Sequence, residues 1–169
     1  MKNNIILIGF MGVGKGSVAR EVIKQSNMVA IDTDDIIESM ENRSIKKIFS
    51  SEGEAYFRDL EKKVAQWLER SVEGTLISTG GGFYKVDNLK NIGTVVLLHS
   101  SFDAIYHRIK THPNAAKKLK KRPLFQDLKR AEALYNERLP QYQQLADVVI
   151  EVTQRSVSDI AQELLRKCQ

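Results

Sequence analysis

Residues able to do chemistry gather at a few places in the sequence, and the sharpest is Gly9-Phe-Met-Gly-Val-Gly-Lys15-Gly-Ser17. Gly9 and Gly14 bracket four residues and a lysine follows at once, the spacing of a phosphate-binding loop. Bare backbone lets successive N–H groups wrap phosphate oxygens, a helix N-terminus adds partial positive charge, and Lys15 can reach the β- and γ-phosphates. The chemistry implied is binding a nucleotide and moving its terminal phosphoryl group. One position departs from the pattern. A hydroxyl for Mg2+ belongs directly after the lysine, but Gly16 stands there and Ser17 comes one residue late. An ordinary tight turn is the bland alternative, and the strand before the loop and the helix after it argue against it.

Other stretches carry polar groups that need explaining. Asp32-Thr-Asp34-Asp35 ends the apolar run Met28–Ile31, at the strand edge where open α/β sheets bind ligands. Alternation along an extended chain would send Asp32 and Asp34 the same way, onto one site. Aspartates also cap helices, and one can cap while the other faces the site. Gly80-Gly81-Gly82 ends another strand, where bare backbone is costly unless a small ligand needs close approach; a flexible loop is the alternative. Arg58 and Glu61 lie three residues apart on a predicted helix, so they can pair. Lys117-Lys-Leu-Lys-Lys-Arg122 holds much of the net charge of +5. It fits a nucleic-acid patch, a flap closing on a triphosphate or a solvated surface, and no aromatic interleaves to stack bases. His99, His107 and His112 make no recognisable metal set.

The elements that must hold these groups follow from hydrophobic period. Asn4–Ile8, Met28–Ile31, Thr75–Ser78, Thr94–Leu98 and Val148–Val152 read as strands. Helical patterns occupy about 16–26, shorter pieces within 35–52, and a longer helix opened by a capping box at Ser51–Glu54. Its expected core stripe is Phe57, Leu60, Val64, Trp67 and Leu68. A short helix near 85–91, one capped by Ser101 and carrying Arg108, one capped by Asp127 and one opened by Ser156 follow. Pro140 is expected to end or kink the third of these. Residues 111–125, with Pro113 and Pro123, break the pattern and read as a flap with a short helix at Ala115–Leu119. Strands alternating with helices call for a parallel α/β sheet covered on both sides.

Length and composition limit the rest. A chain of 169 residues, 42% hydrophobic and 28% charged, is expected to be one domain with a substantial core. Its apolar runs stop short of the ~18 residues of a membrane span, and no export signal is read at its start. Cys168 is the sole cysteine, so no internal disulfide can form. The cytoplasm is the expected location.

Together these stretches resemble the shikimate kinase family over nearly the whole chain. The resemblance rests on Gly9–Lys15, Asp32-Thr-Asp34, Phe57-Arg58 with Glu61, and Thr79–Gly82. Arg122-Pro-Leu124 and Glu137-Arg-x-Pro-x-Tyr142 complete it. It implies a five-stranded parallel sheet of order 2-3-1-4-5, a substrate-binding subdomain at about 33–61 and a lid at about 111–125. It implies transfer of the γ-phosphoryl of ATP to the 3-hydroxyl of shikimate, with Mg2+. Residues similar to the family's nucleotide site are Gly12, Val13, Gly14, Lys15, Gly16, Ser17 and the lid's Arg122; Arg108 and Arg155 resemble its adenine neighbours. Asp34 resembles the base, with Arg58, Arg138 and Gly80–Gly82 around shikimate. Asp32 resembles the carboxylate holding Mg2+ through water, with Ser17 as the other metal candidate.

There are three departures: Gly16 lacks the hydroxyl, the segment between Arg108 and Arg122 is longer and richer in lysine, and Gln141 replaces a leucine. The reading expects a monomer that binds neither nucleic acid nor membrane. A kinase for another small polyol acid such as gluconate is the nearest rival. A binding module silenced by Gly16 and a nucleic-acid binder using the lysines are the others.

Overall fold

The run Ile5–Ile8 is apolar throughout because it becomes β1, the middle of a parallel sheet, where no residue of it is more than 2% exposed. The computed structural model describes residues 3–168. β2 (Val29–Asp32), β3 (Thr75–Ser78), β4 (Thr94–His99) and β5 (Val148–Glu151) join β1 in the order β2-β3-β1-β4-β5, as the resemblance implies. Leu7 pairs with Ser78 on one side and Val96 on the other, and Asp32 with Ser78, so β1, β2 and β3 finish within a residue of one another at one edge. The glycine loop, the aspartates and the triple glycine all leave the sheet at that edge. At the other end buried Asn4 ties three segments, donating to the Val72 and Ile92 carbonyls and accepting from the Thr75 amide.

Helices cover the sheet. α1 (Lys15–Gln25) packs on α9 (Val157–Cys168); α1 buries Val18, Ala19 and Val22, and α9 buries Ile160, Ala161 and Leu164. α2 (Thr33–Glu41), α3 (Ile45–Glu52) and α4 (Glu54–Ser71) follow β2; α5 (Leu89–Ile92) lies before β4. α6 (Phe102–Lys110), α7 (Ala115–Lys120) and α8 (Leu128–Leu145) join β4 to β5. Each fully buried Leu or Ile contributes about 1.5–3 kcal/mol relative to exposure, so the core lies in these stripes.

Several local expectations change. Ser51 lies inside α3 and its hydroxyl donates to the Lys47 carbonyl, so no capping box forms at Ser51–Glu54. Ser44 caps α3 instead, and α4 starts after Gly53, whose φ of 85° divides the two helices. Trp67 is 46% exposed; the buried face of α4 runs Phe57, Leu60, Glu61, Val64, Ala65, Leu68, and Trp67, a turn or two beyond Leu60 and Val64, lies at the margin of that face. α8 continues through Pro140 to Leu145, held by buried Arg138 and Tyr142 on either side of the proline. The short helix near 85–91 is a 3₁₀ turn, Phe83–Lys85, followed by α5.

The segment 111–125 has two mechanical halves. Phe125 is buried and meets Phe10 of the glycine loop at a centroid distance of 6.4 Å and Phe102 at 6.3 Å. α7 by contrast spans six residues, buries none of them and has no side-chain cap. Helices that short are marginal without packing, so α7 should open locally at low cost. Trypsin should therefore cut the free protein first at Lys117–Lys121. If this segment is the lid that the resemblance implies, nucleotide plus shikimate at ten times their Kd should slow that cleavage by about tenfold. Equal rates in both states would mean that this segment does not close on the ligands.

Candidate active site

The glycine loop is built for anion binding but is closed on itself in this structure. Gly14 sits at φ 109°, a conformation that favours glycine, and passes the chain directly into α1. The Val13 amide donates to the Phe10 carbonyl and fixes the turn. Lys15 is buried, its Nζ donating to the Gly9 carbonyl at 2.6 Å and to the Phe10 carbonyl at 3.3 Å. Burial pulls its ammonium down to about 8, while the Asp34 and Asp32 carboxylates push the other way and the Arg122 and Arg138 charges add to the fall. Those carbonyls hold the ammonium where phosphate oxygens would otherwise take it.

More cations face the loop. Arg108, on α6, donates from Nη2 to the Gly12 carbonyl at 2.5 Å. Its guanidinium lies within 2.9 Å of where a side chain on Gly14 would begin. Arg122 is half-buried and donates to the Lys118 carbonyl, and its charge is felt at Lys15, Arg108 and Lys118. Converging cations in a cleft focus a positive potential that draws polyphosphate. Arg155 is not brought to the loop: it is exposed, donates to the Glu151 carbonyl and pairs with Glu163 at 2.6 Å. Gly16 and Ser17 lie in the first turn of α1, and the Ser17 hydroxyl accepts from Arg20 at 3.4 Å.

Beside the loop, each of the three consecutive glycines faces one charged side chain. A side chain begun on Gly80 would meet Asp34 Oδ1 at 2.6 Å, one on Gly81 would meet Arg138 Nη1 at 3.1 Å, and one on Gly82 would collide with the Arg58 guanidinium. The glycines are thus needed for space. Asp34 does not arrive by strand alternation: β2 stops at Asp32, which caps α2 by accepting from the Asp34 and Asp35 amides, both through Oδ1. The first helical turn then carries Asp34 inward. Burial, then the charges of Asp32 and Glu61, raise Asp34 to about 7 against the pull of Lys15. Its Oδ1 is shut off from solvent without a hydrogen-bond partner among the described residues.

The two arginines differ. Arg58 bridges Glu61 at 2.5 Å and Glu54 at 3.0 Å, and Glu61 is buried, which pushes its carboxyl up despite that pairing. Arg138 is buried too, yet it makes no ion pair among the described residues and its Nε has no partner. A buried guanidinium without an anion is costly, so this site is set to receive one.

Supporting groups were harder to foresee. Buried Thr33 accepts the Gly80 amide, Thr79 donates to the Leu7 carbonyl and Tyr142 donates to the Gly81 carbonyl at 2.6 Å. Glu54 had a usable signal in its four-residue spacing to Arg58, and Thr79 and Tyr142 stand in motifs of the resemblance that gave them no role. No group of three His, Cys, Asp or Glu able to hold a metal occurs among the described residues. Asp32 and Asp34 stand close enough to act on Lys15, and that donor set suits an Mg2+ carried by nucleotide phosphates and its own waters.

Residues 11–169 match the family model described as shikimate kinase. The chain is 39% identical to a shikimate kinase of Helicobacter hepaticus over 147 residues, covering 87% of this chain and 85% of that protein. It is 39% identical to one of Streptococcus thermophilus, covering 92% and 94%. A solved shikimate kinase of Acinetobacter baumannii in complex with shikimate superposes with a TM-score of 0.84 at 32% identity, over 97% of this chain and 91% of that one.

Proposed function

This chain belongs to the shikimate kinase family, and from that premise we propose that it transfers the γ-phosphoryl group of ATP to the 3-hydroxyl of shikimate. The observation that carries the acceptor's chemistry is the convergence of Asp34, Arg138 and Arg58 on Gly80, Gly81 and Gly82. A carboxylate acid with ring hydroxyls needs an anion site and a proton acceptor side by side, close to bare backbone. Guanidinium forks suit a carboxylate, and Arg138 has no ion-pair partner among the described residues and an Nε without a hydrogen-bond partner.

Phosphoryl transfer depends mostly on position and charge neutralisation. In this reading Lys15 leaves the Gly9 carbonyl for the β- and γ-phosphates, the amides of Gly12–Ser17 cradle them, and Arg122 arrives with the lid over 111–125. Arg108 lies against the nucleotide; Arg155 joins it only by leaving Glu163. Mg2+, when bound, would supply further neutralisation of the phosphates, and Asp32 and Ser17 are the residues that would hold it. Arg58, steadied by Glu61 and Glu54, and Arg138 fix the acid of shikimate against the subdomain at 33–61. Asp34 orients the 3-hydroxyl and takes its proton, and a base poised near 7 is well matched to that task. Closure excludes water as a competing acceptor. The reaction is expected in the cytoplasm, from a monomer; among the described residues no helix is long and apolar enough to cross a membrane.

An ADP-release assay with shikimate, gluconate or no acceptor tests this. Release should need shikimate. Release with gluconate alone, or none with any acceptor, would defeat the proposal.

A further inference from the structure

The position that should carry the metal's hydroxyl has a different occupant. In a helix, side chains lean toward the N-terminus, so the residue four places on covers the first turn. Here that residue is Arg20. Its Nη1 lies 3.5 Å from where a Cβ on Gly16 would stand, and apart from the adjoining residues and the backbone of α1 itself no other described atom comes within 4 Å of that point. Its Nη2 meets the Ser17 hydroxyl at 3.4 Å, so the nearest hydroxyl is also occupied by the same guanidinium. Arg20 is exposed and makes no ion pair among the described residues. Its charge, after those of Arg108 and Arg122, also acts on Lys118 of α7.

We propose that Arg20 takes over part of the work of the missing hydroxyl and its metal: carried over Gly16, its guanidinium binds the nucleotide's β-phosphate directly, so that nucleotide binding depends little on Mg2+. This rests on the reading of Gly9–Ser17 as the ATP site. The logic is one of charge and shape. A serine at 16 would hold a cation that holds phosphate, whereas glycine leaves room for a fixed cation with forked donors that match phosphate oxygens. The exchange keeps positive charge at the phosphates while removing the need to recruit a hydrated ion.

Calorimetric titration of the whole protein with ADP and AMP, in excess Mg2+ and in excess EDTA, tests this without turnover. Wild type should bind ADP in EDTA within about threefold of its Mg2+ value. Arg20→Gln, an exposed change that should fold normally, should weaken ADP in EDTA by about tenfold while AMP is unaffected. Gly16→Ser meets only ordinary contact with Arg20 and should make ADP binding more dependent on Mg2+. ADP binding in EDTA that is equal in wild type and Arg20→Gln would overturn the inference, as would a wild type that loses ADP in EDTA by well over tenfold. Failure of wild type to bind ADP even with Mg2+ would instead defeat the ATP-site reading, and the inference with it.

Discussion

Asp34→Asn should lower kcat by about 10²–10⁴ while the protein stays folded, because asparagine keeps the shape and removes the proton acceptor. The side chain is well placed to make this clean. Its Oδ1 has no hydrogen-bond partner among the described residues, so no internal bond is lost with the charge. The sign of the stability effect can be worked out. Asp34 is raised to about 7 from an ordinary 3.8, chiefly by burial, so the fold favours the protonated form. That contribution is fully present below the unfolded value and is lost as pH rises through about 7. Above that pH asparagine should leave Tm unchanged or raise it, the expected trade of stability for activity at a functional site. Wild-type kcat/KM should rise with pH through the same region as the base ionises. It should fall again above about 8 as Lys15 loses its proton, the two groups titrating as a coupled pair. Steady-state kinetics across pH with a thermal melt of the variant check both parts. A near-normal kcat would leave Asp34 as a binding residue.

Arg138→Ala should raise the KM for shikimate steeply with little change in the KM for ATP. Loss of a buried charge-assisted contact costs about 2–5 kcal/mol, or roughly 30- to several-thousand-fold. Because Arg138 has no ion-pair partner among the described residues, its removal should not destabilise the free protein through a stranded carboxylate. Arg58→Ala should raise the same KM but also lower Tm, since it strands the buried Glu61 carboxylate. The contrast between the variants is the informative result: similar kinetic defects, different melts. Unchanged shikimate affinity in both would remove the anion site from this pair.

Much of this site was legible before any coordinates, for reasons that differ by residue. The phosphate loop is local: glycines, lysine and helix start lie within one turn, and sequence order is spatial order. Gly80, Gly81 and Gly82 were legible as an anomaly, since bare backbone at a strand edge needs a cause, but the cause lies in Asp34, Arg138 and Arg58, far away in the chain. Pairing of glycine with partner needs the sheet order and the packing of α4 and α8, which hydrophobic period does not encode. Trp67 has the right helical spacing, three after Val64 and seven after Leu60, but lies at the margin of the stripe, and period alone does not tell how far the covering core extends there. Asp34 was identified for a faulty reason: alternation assumes an extended chain, and Asp32 had already turned it into a helix. Arg20 was invisible for another reason. An exposed arginine on a helix is ordinary until the space beside it proves to lack a side chain.

The most direct measurement is the identity of the phosphorylated product, followed by 31P and proton NMR in a mixture of shikimate, gluconate and ATP. One new phosphomonoester is expected, on the 3-oxygen of shikimate, formed in step with ADP and suppressed in Asp34→Asn. Phosphorylated gluconate as the main product, a phosphate on another shikimate oxygen, or ADP accompanied only by inorganic phosphate would contradict it.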